Sequence, residues 1–337
     1  MNRCKKTLLE VAVALAILFV VAAELTGFWF ALRSAATRKE MAMLSVNTSQ
    51  PASLAFSPDG KTLASGNWDG SVTLWDAATW TETATLKGHR DEVTSLAFSP
   101  DGKTLAGAGG RDKTITLWDV AKRIQRPERL EHGSLVSSVA YSPNGKILAA
   151  GGFNYAITLW DVPTGKELTA LKGHWDFVLT VAFSPDGTII ASGGLDKTIK
   201  LWDVATGNEL RTLSGHPERV ETLTFSPDGR TLASASRDPT MSRDSTIILW
   251  DVATGTEQKT LNTDSGWATC IAYSPNGRLL ATADSQVKLW DAAMGRKLAT
   301  LDGARCVAFS PDGEVLVAAG GGNAIRIWNV SPYAFSP

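Results

Sequence analysis

Near-copies of one unit fill most of this chain. The pair Trp-Asp recurs at Trp75-Asp76, Trp118-Asp119, Trp160-Asp161, Trp202-Asp203, Trp250-Asp251 and Trp290-Asp291, with Trp328-Asn329 as a seventh, imperfect copy. Successive steps are 43, 42, 42, 48, 40 and 38 residues. A second marker, Ser-Pro-Asp/Asn-Gly, begins at Ser57, Ser99, Ser142, Ser184, Ser226, Ser274 and Ser310, which is seven again. A period of this length belongs to repeat architectures, in which each unit buries its apolar face only against its neighbours.

Each unit reads as strands. In "VTSLAFSPDGKTLAGAGG" alternating apolar positions flank Pro-Asp-Gly, where Pro presets the first turn dihedral and Gly supplies a positive φ. The alternation continues through "KTITLWDV" and "GKELTALKG" across a second turn, usually Thr-Gly, at Gly165, Gly207 and Gly255. One period therefore holds about four short antiparallel strands, here called a, b, c and d, with no helix signal between them.

The unit "GHWDFVLTVAFSPDGTIIASGGLDKTIKLWDV" resembles one repeat of the WD-repeat β-propeller family, and the resemblance covers residues 38 to 330. It implies an all-β fold, a seven-bladed β-propeller of four-stranded antiparallel blades around a central channel, an arrangement that protects sheet edges. In that family the last blade borrows a strand from the other end of the chain. Here Trp328 stands too near the C-terminus for a well-formed d strand to follow it. The segment "RKEMAMLSVN", Arg38 to Asn47, aligns with "TETATLKGH", placing Leu44 on Leu86 and Asn47 on His89. An N-terminal strand is thus expected to close the ring. The domain reading is residues 1–37 for a basic N-terminus and apolar helix, 38–330 for the propeller and 331–337 for a C-terminal tail.

Catalytic chemistry finds little to stand on. The four histidines, His89, His132, His174 and His216, all occupy one repeat position before strand a. The resemblance assigns that His to a structural tetrad with a Ser/Thr of strand b, the Asp of the b-to-c turn and the Trp of strand c. Blade four supplies His174, Ser192, Asp196 and Trp202, and blade five His216, Ser234, Asp244 and Trp250. The third blade departs with Ala150 and Asn154, the first with Asn47, and blades six and seven lack the His, so those blades are expected to be less tightly tied. A His/Asp/Ser trio also invites a catalytic-triad reading, but its recurrence within the scaffold favours structure. No cofactor is expected, and no metal: the recurring aspartates stand singly, and Cys4, Cys270 and Cys306 form no CxxC pair or Cys/His cluster. Gly-rich "AGAGGRD" and "AAGGGNA" have no following helix and read as hairpin glycines rather than phosphate loops. Cys270 and Cys306 fall where other repeats carry Ser53, Ser95, Ser138, Thr180 and Thr222, a slot for small residues rather than a disulfide.

If the body is scaffold, function lies in side chains that vary between units on an exposed face. In the resembled family partners dock on the top face, formed by the d-to-a and b-to-c turns. The residues before the turn Asp are Trp68, Arg111, Phe153, Leu195 and Arg243, and positions around the His add Arg90, Glu92, Trp175, Phe177, Arg219 and, by alignment, Trp267. Aromatic and Arg side chains are the types enriched at interface hot spots. The 48-residue step comes from "SRDPTMSRD", whose second copy is the architectural one because Asp244 stands six residues before Trp250. The first copy lengthens the b-to-c loop of blade five and adds Arg237 and Met241 to the same face. On the opposite face lie Trp80, in place of a turn glycine, and the basic "AKRIQRPERL", Ala121 to Leu130, which reads as a solvated loop.

The N-terminus differs in kind. Arg3, Lys5 and Lys6 precede an apolar stretch from Leu8 to Leu32, broken by Glu24 and ending near Phe28, Trp29 and Phe30. It reads as an uncleaved signal anchor and single-pass membrane helix, with a cleaved signal peptide ending at Val21-Ala22-Ala23 and secretion as the alternative. The charge flanks favour an extracytoplasmic propeller. With 33 basic against 34 acidic residues the chain has no electrostatic footprint for nucleic acid. The sequence thus points to a monomeric, non-catalytic interaction platform, membrane-tethered, with a protein or peptide partner. A structural subunit of an envelope assembly and a propeller enzyme with an unrecognised site are the alternatives.

Overall fold

The computed structural model describes residues 40–46, 49–237, 246–263, 268–303, 305–320 and 322–334. The apolar segment at residues 8–32 therefore lies outside the described residues. Among the described residues no helix is long and apolar enough to cross a membrane.

The strands group by fours. The first strand, β1 (Glu40–Ser45), belongs to the last blade. Blade one is β2 (Pro51–Phe56), β3 (Thr62–Asn67), β4 (Val72–Asp76) and β5 (Thr81–Leu86). Blade two is β6 (Val93–Phe98), β7 (Thr104–Gly109), β8 (Thr114–Asp119) and β9 (Ile124–Glu131), and blade three is β10 (Val136–Tyr141), β11 (Ile147–Gly152), β12 (Ala156–Asp161) and β13 (Lys166–Lys172). Blade four is β14 (Val178–Phe183), β15 (Ile189–Gly194), β16 (Thr198–Asp203) and β17 (Glu209–Ser214). Blade five is β18 (Arg219–Phe225), β19 (Thr231–Arg237), β20 (Thr246–Asp251) and β21 (Glu257–Asn262), and blade six is β22 (Cys270–Tyr273), β23 (Leu279–Ala283), β24 (Val287–Asp291) and β25 (Lys297–Leu301). Blade seven joins β26 (Cys306–Phe309), β27 (Val315–Ala319) and β28 (Ala324–Asn329) to β1. Each a strand packs against the a strands of both neighbouring blades, so β2, β6, β10, β14, β18, β22 and β26 close into an inner ring. The expected seven-bladed, all-β propeller is what the chain forms.

Closure follows from one leucine. In strand d the inward residues Leu86, Leu130, Leu171, Leu213, Leu261 and Leu301 are all buried. Each stands opposite an aliphatic residue of strand c, as Leu86 does opposite Val72. Leu44 of β1 takes the same place opposite Ile325 and is 7% exposed. Burying such a side chain is worth about 1.5–3 kcal/mol. Arg326 of β28 adds an ion pair to Glu40 at 2.9 Å, tying β1 to the last blade.

The Ser-Pro-Asp/Asn-Gly marker is a self-contained turn. In blade one Ser57 Oγ donates to Asp59 Oδ1 at 2.7 Å, the Lys61 amide donates to the same oxygen at 3.1 Å, and the Thr62 amide donates to Ser57 Oγ at 2.9 Å. Gly60 supplies the φ of 70° that the turn needs. The serine of all seven copies donates to its Asp or Asn in this way, which explains why the marker recurs unchanged.

Blades are also joined through hydroxyls on strand a. Ser53 Oγ donates to Val93 O of the next blade at 3.0 Å, and Thr94 Oγ1 to Val136 O at 2.9 Å. Ser95 Oγ accepts from the Val139 amide, and Ser138 Oγ from the Val181 amide, both at 3.2 Å. Cys270 Sγ accepts from the Val307 amide at 3.4 Å. The slot read from sequence as a place for small residues is thus an inter-blade hydrogen-bonding position, which a thiol fills at Cys270. Both described cysteines, Cys270 and Cys306, are free thiols.

Two segments differ from their sequence reading. Within Ala121 to Leu130, expected to be a solvated loop, Ile124 onward forms strand β9, exposed on its outer side because it is the d strand at the rim of blade two. Part of the expected tail turns back as α1 (Ser331–Ala334), and Tyr333 packs with Phe309, Trp328 and Val330 in the core.

Candidate functional site

Because a and b run antiparallel, the d-to-a and b-to-c turns of every blade share one end of the propeller, the top face. The buried polar side chains beneath it determine how those turns are held. In blade four His174 Nδ1 lies 2.7 Å from Asp196 Oδ2, and its Nε2 lies 2.7 Å from Ser192 Oγ. Trp202 Nε1–H donates to Ser192 Oγ at 2.8 Å. A neutral ring carrying its proton on Nδ1 satisfies every partner: Trp202 donates to Ser192, Ser192 to His174, and His174 to Asp196. Asp196 also accepts from the Thr198 amide and hydroxyl, and from the Trp175 amide at 3.3 Å. Burial pushes the Asp196 pKa up, but the hydrogen bonds it accepts from His174 and Thr198 outweigh it and hold the carboxyl below its ordinary value.

This arrangement is a brace between two turns. Ser192 is 0% exposed and cannot meet a substrate, so the triad-like geometry serves to fix the backbone that presents Trp175. The other blades show which parts are essential. Blade two keeps His89 to Asp112 at 2.8 Å, and with Gly107 in place of the serine, His89 Nε2 meets a backbone carbonyl at 3.0 Å. Blade five keeps His216 to Ser234 at 2.6 Å and Trp250 to Ser234 at 2.8 Å. Asp244 lies outside the described residues, and the other ring nitrogen of His216 faces Thr246 Oγ1 at 3.4 Å. In blade three, where Ala150 and Asn154 replace the partners, the one hydrogen bond of the His132 ring among the described residues is to Ser134 of its own turn.

Blade six substitutes a different brace, one that the histidine pattern does not reveal. Lys288 Nζ reaches Asp284 Oδ2 at 2.6 Å with both side chains 2% exposed. Trp290 Nε1–H meets Thr282 Oγ1 at 3.0 Å.

Above these braces the variable side chains fall into three sets. Trp175 and Trp68 stand free, 72% and 46% exposed, and Arg90 and Arg111 are exposed beside them. Phe153, Phe177 and Leu195 are half-buried. Phe153 stacks on Phe177 with ring centroids 3.9 Å apart, and Tyr155 stacks on the same ring at 5.4 Å. These rings thus pack against one another across the boundary between blades three and four, leaving Tyr155 47% exposed. In the third set, Arg219 and Arg237 flank Glu221, at 3.0 and 3.3 Å. Met241, Arg243 and Trp267 lie outside the described residues.

The top face opens on the axis into a cavity of about 620 Å³, lined by Trp68, Asp91, Glu92, Arg111, Phe153 and Glu221 among others. Four residues read from sequence, Trp68, Glu92, Arg111 and Phe153, meet there; Trp175 does not line it. Sequence reading missed Asp91, Tyr155 and Glu221. Glu221 had a signal, since it stands five residues before Ser-Pro, where the other units carry Ala52, Thr94, Ser137, Leu179, Thr269 and Arg305. On the opposite face Trp80 holds a φ of 57° where glycine is usual, its ring packed with the apolar cluster of the closing blade. Among the described residues no group of three or more His, Cys, Asp or Glu is placed to hold a metal ion.

Seven four-stranded blades closed by a strand from the far end of the chain, with His, Ser, Asp and Trp bracing the turns, define a WD-type β-propeller. The chain belongs to the WD domain, G-beta repeat family, which it matches over residues 39–76, 80–119, 126–161, 165–203, 207–251, 255–291 and 295–329. Propellers of this family generally serve as protein-interaction platforms. No curated protein matches the chain.

Proposed function

We propose that this propeller is a non-catalytic interaction platform, tethered to a membrane by its N-terminal apolar segment, that binds a peptide or protein partner across its top face. One observation carries the reading. Trp175 stands 72% exposed on a turn whose backbone is pinned from below by Asp196, and Trp68 stands 46% exposed at the axial cavity, its amide bonded to Gln50 O. Large aromatics left in water on a rigid frame present apolar area at little cost in ordering, which is what interface hot spots require. Against catalysis stands the burial of the His174, Ser192 and Asp196 side chains, which the scaffold consumes.

The tether rests on Arg3, Lys5 and Lys6 ahead of the apolar stretch from Leu8 to Leu32, and the charge flanks favour a propeller outside the cytoplasm. The test is affinity capture from membranes with the full chain and with Trp68→Ala/Trp175→Ala. Loss of about 2 kcal/mol or more of binding is expected from the double variant, with an unchanged fold by circular dichroism. Partners retained at full yield would refute the top-face reading. Protease shaving of intact cells should digest the propeller, and full protection would refute its placement.

A further inference from the structure

The axial cavity has a charge pattern that selects its occupant. Among the described residues three carboxylates line it, from Asp91, Glu92 and Glu221, against one guanidinium, that of Arg111. Glu221 is already held between Arg219 and Arg237. Asp91 Oδ2 accepts from the Arg111 amide at 3.1 Å and lies 3.8 Å from its guanidinium. Glu92 differs: among the described residues its side chain forms no hydrogen bond or ion pair. Burial, with the neighbouring Asp91 charge, raises its pKa above the ordinary carboxylate value, even though Arg305 and Arg111 stand close enough to pull it down. A carboxylate drawn part-way out of water, with cations near but none in direct contact among the described residues, is a group that gains from receiving one.

Two aromatic side chains border the same space. Trp68 is 46% exposed, and Phe153 is steadied by its stack on Phe177 at 3.9 Å. Aromatic rings attract cations, and they also offer apolar cover to the methylene stem of a Lys or Arg side chain.

We infer that the axial cavity takes one cationic side chain, guanidinium or ammonium, from a partner segment lying across the top face, with Glu92 accepting its N–H groups and Trp68 and Phe153 covering its stem. The inference rests on the top-face reading. It deepens that reading by naming the chemistry of the anchor.

The test uses the full chain in detergent micelles and four blocked peptides, Ala-Ala-Xaa-Ala-Ala, in which Xaa is arginine, lysine, citrulline or norleucine. Binding is read by ligand-observed NMR titration. Arginine or lysine should bind about tenfold or more tightly than its neutral counterpart, and comparison of the two separates guanidinium from ammonium. Glu92→Gln, at a side chain without partners among the described residues, should erase most of that preference. Equal binding of arginine and citrulline and of lysine and norleucine, an undiminished preference in Glu92→Gln, or no binding by any peptide would each overturn the inference. The two readings fail separately. If the unaltered chain binds all four peptides equally and Trp68→Ala weakens them alike, the top face stands and the cation does not. Peptides that bind with no response to Trp68→Ala or Trp175→Ala refute the top face itself.

Discussion

His216 shows what a braced residue costs. Its ring lies between Ser234 and Thr246, and burial pushes its pKa down to about 4. Burial lowers His132 and His89 as well, in the last case against the pull of Asp112. A histidine of ordinary pKa, about 6.5, takes up its proton in the unfolded chain before the folded one does. Folding is therefore fully favoured above pH of about 6.5 and loses stability as pH falls toward 4, by up to about 3 kcal/mol for His216 alone. We expect urea midpoints to fall between pH 7 and pH 4.5. The slope should flatten in His216→Gln, which costs about 1–2 kcal/mol at pH 7 through the lost hydrogen bond. An unchanged slope in the variant would show that His216 titrates normally. The blade-four brace was legible in the sequence because its residue types recur at fixed spacing. The Lys288 to Asp284 pair was not, because its cation comes from strand c, where the other units carry Thr73, Thr116, Thr158, Lys200, Ile248 and Arg326. The stack of Phe153 on Phe177 was hidden for a different reason: it depends on side-chain rotamers that meet across two blades.

Strand β1 is the element on which the ring depends. Without it β28 would present an unpaired edge, the hazard that closed sheets avoid. Leu44 supplies its one deeply buried contact within the strand, among Trp75, Ile325 and Ile327. Leu44→Ala is expected to lower unfolding free energy by about 2–4 kcal/mol, measured by urea denaturation. A change under about 0.5 kcal/mol, the range of neutral surface substitutions, would mean that closure does not hold the fold together. This strand was readable because its apolar spacing matches that of every other d strand. The hydroxyl links between a strands were not read, since Ser and Thr in a strand look alike whether they bond the next blade or merely fit. Only the assembled ring shows Thr94 reaching Val136.

At the scale of the whole molecule, repetition divides the labour. The recurring residues build blades and braces, and the departures from recurrence gather where b-to-c and d-to-a turns converge around the axis. The face itself could be found from sequence by comparing units. The cavity could not, because Asp91 and Glu92 of blade two stand at different repeat positions from Glu221 of blade five and meet it only once the ring has closed. The most direct measurement is site-specific photo-crosslinking in membranes, with a benzoylphenylalanine installed either at position 175 on the top face or at position 146, where exposed Lys146 follows the Ser-Pro-Asn-Gly turn on the opposite face. A partner crosslinked from position 175 and not from position 146 is the expected result. A partner crosslinked from position 146 alone would contradict it.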